Sequence, residues 1–223
     1  MWVLLGQGCF IVYLAQRRNL TLDTRSIEVT DGSAPRIRWA AVLPPMLACL
    51  CVGTVFGSTQ TALTAINAER GTEAYTGLIY GCMGGGSALA SLLVSRLPSR
   101  VPLSVRVACG ALLVGVMAVL LMGVPGPVAL SVLFAATGLG VGTLLVSSYT
   151  RGEEVAPSHR MASVMTMLTT CIVLGVSFGS AMGGLLSEVP ERGFVLTLGA
   201  GVAGLVAAVA MHATRPKSTR RVV

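Results

Sequence analysis

Charge is scarce in this sequence. Only 11% of its 223 residues are Asp, Glu, Lys or Arg, whereas a soluble domain usually carries about 25% charged residues. Hydrophobic residues make up 53% of the chain. A soluble helical protein needs charged faces on its amphipathic helices, so the shortage of charge argues against a soluble fold and indicates a membrane protein.

The charged residues are also absent from every long hydrophobic run. Seven segments contain none of them, and all but the first reach the roughly 17 residues that a membrane-spanning helix needs. Because an Arg or Asp at the centre of such a helix costs about 2.5 to 3.5 kcal/mol, this segregation predicts an all-α, polytopic transmembrane helical bundle. The segments are 2–16, 39–65, 75–95, 107–123, 128–149, 161–186 and 194–212.

The sequence offers no pattern typical of a metal or catalytic site. Its six cysteines lie within hydrophobic segments without a Cys-x-x-Cys spacing, and we interpret them as small apolar residues. His159 and His212 have no acidic neighbour at helical spacing, whereas a metal site needs several convergent ligands. We expect no metal, no cofactor and no enzymatic activity.

The basic residues predict an orientation. Fourteen of the 16 lie in alternate gaps, namely 17–38, 96–106, 150–160 and the tail, whereas Arg70 and Arg192 lie in the other gaps. By the positive-inside rule the basic gaps are cytoplasmic, which puts the N-terminus outside and the C-terminus inside. Since the basic residues are spread over four loops without a groove-reading motif, we expect no nucleic-acid partner.

The first segment differs from the others because it is short and its basic residues follow it. Arg17 and Arg18 come after the apolar run, which is the reverse of the charge order in a signal peptide. We interpret the segment as the end of a longer transmembrane helix. The predicted organisation is a partial helix over 1–16, a cytoplasmic loop over 17–38, a six-helix bundle over 39–212 and a basic cytoplasmic tail over 213–223.

Small residues recur at helical spacing in two later segments. The patterns are Gly138-x-x-x-Gly142 and Gly175-x-x-x-Gly179-x-x-x-Gly183. Small residues let membrane helices approach closely, so these patterns predict tight helix packing.

A polar stripe follows the apolar start of the segment 39–65. At about 100° per residue, five small or hydroxylated residues fall within roughly a third of the helix circumference, and Gln60 and Asn67 flank them. A polar stripe that faced lipid would leave groups unsatisfied, so it must face a neighbouring helix or a watery cavity. The five residues are Thr54, Gly57, Ser58, Thr61 and Thr64.

Three stretches carry a family resemblance: the basic turn "SLLVSRLPSRVPLSVR", the loop "SYTRGEEVAPSHRMAS" and the glycine-spaced "GVSFGSAMGG". With the order of hydrophobic segments, they resemble the C-terminal six-helix half of the major facilitator superfamily of secondary transporters. In that family the loop after the second helix reads approximately G-x-L-x-D-R-x-G-R-R. Arg96 and Arg100 match its basic positions, but Ser95 replaces the acid that holds the cytoplasmic gate. Arg96 and Arg100 therefore serve either in gating or only as topology signals.

The resemblance also implies where substrate would pass. In the family the first helix of each three-helix repeat lines the central pathway, which implies substrate contact for residues of the segment 39–65 and for Thr143 in the segment 128–149. Packing against a neighbouring helix is the alternative for each hydroxyl. The implied pathway residues of the segment 39–65 are Thr54, Ser58, Gln60, Thr61 and Thr64.

The function implied is that of the C-terminal portion of a secondary active transporter, an efflux permease for small drug-like or sugar-like molecules in the inner or plasma membrane. Its partners would be the lipid bilayer, a small-molecule substrate and either the N-terminal half or a second copy of the chain. Ion coupling usually requires a charged group within the membrane, so that group is expected outside this half. The alternative is a non-transporting, truncated membrane protein or a helical scaffold.

The orientation is directly testable with topology reporters. A reporter fused after Arg100 or at the C-terminus should be cytoplasmic, and one fused near Arg70 should be external, because of the charge difference between the gaps. Alkaline phosphatase and green fluorescent protein fusions provide complementary readouts. A cytoplasmic signal near Arg70 would contradict the whole assignment.

Overall fold

The computed structural model describes residues 39–96, 101–123, 126–186 and 192–214. The predicted partial helix over 1–16 and the loop over 17–38 lie outside the described residues, as do Arg100 and the tail after residue 214.

Six α-helices account for most of the described residues. Each is long and apolar enough to cross a membrane, and the described ranges contain no strand. The prediction of an all-α transmembrane bundle is confirmed. Short 3-10 turns at Glu73–Tyr75 and Ser158–Arg160 precede the second and fifth helices. The helices are α1 (Trp39–Glu69), α2 (Thr76–Ser95), α3 (Leu103–Leu121), α4 (Pro127–Val155), α5 (Met161–Leu186) and α6 (Gly193–Ala213).

Three helices include charged residues from outside the hydrophobic segments that predicted them, and α1 does so only at its last residue, Glu69. The 29 residues of α4 exceed the roughly 20 that span the hydrocarbon core, and its last turns include Arg151, Glu153 and Glu154. Helix α3 begins at Leu103 and so includes Arg106. The prediction that Arg106 and Arg151 lie in loops is wrong, because each residue that extends an existing helix adds a backbone hydrogen bond.

Arg151 finds its partners within the protein. The residue is only 5% exposed. Its Nη1 donates to Glu154 Oε2 at 3.0 Å, and its Nη2 donates to the backbone carbonyl oxygen of Thr214 at 3.2 Å. Thr214 caps the carboxyl end of α6, where the helix dipole favours a cation. The guanidinium therefore links the end of α4 to the end of α6.

The helices pair in a repeated arrangement. The most extensive contacts join α1 to α5 and α2 to α4. Helices α3 and α6 contact each other, while α3 also packs on α4 and α6 on α1. If α1 is exchanged with α4, α2 with α5 and α3 with α6, the same pairs of helices remain in contact. The bundle therefore consists of two equivalent three-helix units.

The α1–α5 contact brings backbone against backbone. A Cβ atom placed on Gly175 would lie 2.9 Å from the backbone nitrogen of Thr54 and 3.0 Å from the Cα of Gly53. A Cβ atom on Gly53 would in turn lie 2.8 Å from the backbone nitrogen of Val176. Because real Cβ atoms do not approach backbone this closely, these helices require glycine where they cross.

The α2–α4 contact is built in the same way. A Cβ atom on Gly138 would lie 3.0 Å from the backbone nitrogen of Ser87, and one on Gly142 would lie 3.0 Å from the Cβ of Ala90. The glycines at 175, 179 and 183 similarly face the backbone or a side-chain oxygen of α1. Both predicted glycine packing faces are therefore confirmed.

Gly175→Ala should lower the thermal unfolding midpoint of the chain in detergent, because overpacking a close contact costs roughly 1 to 3 kcal/mol. Gly184→Ala is the matched control, since a Cβ atom on Gly184 has no neighbour within 4 Å. Both substitutions lie within α5 and raise helix propensity alike, so the difference between their midpoints isolates the contact. Equal midpoints would contradict backbone contact between α1 and α5.

Candidate functional site

The polar residues of α1 divide between two environments, and the first is the helix interface. Thr54 is 8% exposed and Ser58 is completely buried. The Thr54 hydroxyl donates to the carbonyl oxygen of Leu50 at 3.0 Å. The Ser58 hydroxyl meets the hydroxyl of Thr197 on α6 at 3.0 Å. In this structure the Thr54 hydroxyl is satisfied within α1, and the Ser58 hydroxyl is satisfied across the contact with α6.

Asn67, which flanks the same stripe, closes the turn between α1 and α2. The side chain is 1% exposed. Its Nδ2 donates to Thr76 Oγ1 at 2.9 Å, and its Oδ1 accepts a hydrogen bond from Thr72 at 3.3 Å. Gly71 follows the helix with a φ of +65°, a left-handed conformation that glycine adopts without steric cost. Asn67 thus organises the turn between α1 and α2.

The second environment is an open groove between the later turns of α1 and α5. Gln60 and Thr64 are exposed there, and half-buried Thr61 lies between the groove and the helix contact. The groove has a volume of about 520 Å³. Its described lining residues are Gln60, Thr61, Thr64, Ala65, Ala68, Ser180 and Gly184.

Helix α5 carries exposed hydroxyl groups that the sequence analysis did not identify. Thr166, Thr170 and Ser177 are exposed on the helix face that continues to the groove residues Ser180 and Gly184. At about 100° per residue these five positions fall within roughly a quarter of the helix circumference. Their spacing was visible in the sequence, but the glycine pattern on the opposite face of α5 was the stronger signal.

The described residues that line the groove carry no charge. None of them is Asp, Glu, Lys, Arg or His, and the described residues contain no cluster of three or more His, Cys, Asp or Glu suited to a metal ion. Amide, hydroxyl and small apolar groups remain. Such a surface binds through hydrogen bonds and shape.

A family model described as Major Facilitator Superfamily matches residues 11–222. The chain belongs to the major facilitator superfamily. The resemblance carried by the three sequence stretches is thereby confirmed, and the protein is a multi-pass member of a family of membrane transporters. No curated protein and no solved structure matches the chain.

In this superfamily member Thr143 lies apart from the groove. Thr143 is half-buried on α4, and its hydroxyl donates to the carbonyl oxygen of Leu139 at 2.8 Å. It is not among the described lining residues of the groove. Its contact with substrate stays a prediction.

The superfamily loop motif is only partly described. Ser95 is exposed, and its hydroxyl donates to the carbonyl oxygen of Leu92 at 2.8 Å. Arg96 is exposed and caps the carboxyl end of α2. Arg100 lies outside the described residues. The gating role of the two arginines stays a prediction.

The two environments of α1 should differ in a double-mutant cycle. Ser58→Ala combined with Thr197→Val should show a coupling free energy of about 0.6 kcal/mol, the average for a hydrogen bond between membrane helices. Gln60→Leu combined with Thr197→Val should show none, because Gln60 faces the groove. Unfolding in mixed detergent micelles measures both cycles. A coupling at Gln60 equal to that at Ser58 would place Gln60 in the helix interface instead.

Proposed function

We propose that this superfamily member is the C-terminal half of a secondary active transporter that exports small molecules of drug-like or sugar-like character, and that the groove beside Gln60 is one wall of its substrate pathway. The observation that carries the proposal is the exposure of Gln60. Serine and threonine satisfy their hydroxyls on their own helix, but a glutamine amide needs an external partner. A polar group left in lipid costs several kcal/mol, so Gln60 faces water, substrate or protein.

The groove supports a pathway that needs a second wall. It lies between α1 and α5 and is open on one side, whereas substrate sites in transporters of this kind lie between repeats near the membrane midplane. An N-terminal half or a second copy of this chain supplies the missing wall. Six helices then form one side of the pathway and the partner forms the other.

Helix α2 presents a surface suited to such a partner. A Cβ atom on any of four exposed glycines would meet no neighbouring atom within 4 Å. Small residues on a membrane helix permit close approach of another helix. The same surface also suits the alternative function, a non-transporting scaffold that pairs with a partner. The four glycines are Gly77, Gly81, Gly84 and Gly85.

Cysteine accessibility separates the two functions. In a cysteine-free version of the chain in membrane vesicles, Gln60→Cys should react with a water-soluble thiol reagent, because a transport pathway admits water. Ser58→Cys is the matched control and should be inert, since Ser58 is completely buried. Labelling followed by mass spectrometry gives both rates.

Inertness at both positions would contradict the pathway and favour the scaffold, in which a partner covers the face of α1. Reaction at both positions would show that the described α1–α5 contact opens in the membrane, and that Gln60 is not distinguished from the packed part of the stripe.

A further inference from the structure

The α1 hydroxyls that line the groove already donate their protons to their own helix. Thr64 donates to the carbonyl oxygen of Gln60 at 2.8 Å. Thr61 donates to the carbonyl oxygens of Gly57 at 3.1 Å and Ser58 at 3.0 Å. A carbonyl oxygen can only accept, so in each pair the hydroxyl is the donor.

Each of these hydroxyls has one hydrogen and two acceptor lone pairs. Once the hydrogen points at the helix backbone, the side that faces outward offers only lone pairs. The exposed hydroxyls of Thr166, Thr170 and Ser177 on α5 also donate to their own helix, but they are not among the described lining residues of the groove. Within the groove, Thr61 and Thr64 therefore present hydrogen-bond acceptors.

No cation among the described lining residues of the groove offsets these acceptors. The Gln60 amide supplies N–H donors, but it supplies a further acceptor oxygen as well. An anion would meet lone pairs on this wall, whereas an N–H or O–H group would find a partner at each hydroxyl.

We infer that the groove wall formed by Thr61 and Thr64 of α1 selects solutes rich in hydrogen-bond donors, such as amines and polyols, over anions. The inference rests on the proposed substrate pathway and names the chemistry of its substrate. Selection arises because each bound donor gains a hydrogen bond at a hydroxyl that has no proton left to offer an anion.

Thiol reagents of matched size and different charge test this preference. Gly184→Cys is the reporter in the cysteine-free chain, because Gly184 lines the groove and a Cβ atom there meets no neighbour within 4 Å. Its reaction rates with aminoethyl, hydroxyethyl and sulfonatoethyl methanethiosulfonate are each divided by the rate with a free thiol in solution. The aminoethyl and hydroxyethyl reagents should react faster than the sulfonatoethyl reagent.

The decisive variant is Thr64→Val, which keeps the shape of the side chain and removes its acceptor. It should reduce the aminoethyl-to-sulfonatoethyl ratio by about fivefold, the equivalent of one ordinary hydrogen bond. Ser131→Ala is the matched control, because Ser131 is also exposed and donates to its own helix, at the Pro127 carbonyl oxygen, but does not line the groove. This control should leave the ratio unchanged, because it removes an exposed hydroxyl that lies outside the groove.

The outcomes separate the two levels of the proposal. Reaction of Gly184→Cys with a ratio that Thr64→Val does not change, or with a preference for the sulfonatoethyl reagent, would overturn the donor selectivity and leave the pathway standing. Complete inertness of cysteines at both 184 and 60 would overturn the pathway, and the selectivity with it.

Discussion

The backbone contact between α1 and α5 determines where each polar group of α1 lies. Glycine at 53, 175 and 179 lets the backbones of α1 and α5 come so close that a Cβ atom on any of the three would lie within 3.0 Å of the other backbone. That crossing draws Thr54 and Ser58 into the interface. The later turns of the same helices leave a groove beside them, where Gln60 is exposed. Packing in lipid depends on such close approach, since no hydrophobic force draws apolar helices together.

Hydroxyl groups serve both environments because they can be satisfied locally. Thr54 in the interface and Thr64 at the groove each donate to the carbonyl oxygen four residues earlier. A serine or threonine can therefore be buried, or face a cavity, without an unpaired donor. What differs is the use of its lone pairs, which are covered in the interface and open at the groove. A glutamine has no such local solution, which is why the position of Gln60 carries more functional information than that of any single hydroxyl.

The ends of the helices follow a different rule from their centres. The apolar segments contain no charge, yet α4 continues through Arg151 and Glu154 as regular helix. There the guanidinium bonds a carboxylate and the carbonyl oxygen of Thr214, so its burial leaves two of its nitrogens paired. Hydropathy marks the hydrocarbon-crossing part of a helix, whereas hydrogen bonding decides its length. This difference accounts for the predicted loop residues that proved to be helical.

The sequence by itself determined the all-α bundle, the approximate positions of its six described helices and the glycines that join them. The bilayer imposes these features on any spanning chain through length, charge and the need for small residues at close contacts. The sequence also placed Gln60 and the hydroxyls of α1 on one broad face, but it could not say which of them would be covered. Only the tertiary structure decided that Ser58 meets Thr197, that Gln60 borders a groove, and that α5 adds Ser180 to it. The physical reason is that a helical stripe specifies directions around one axis, whereas burial depends on where a second helix crosses that axis and where it diverges.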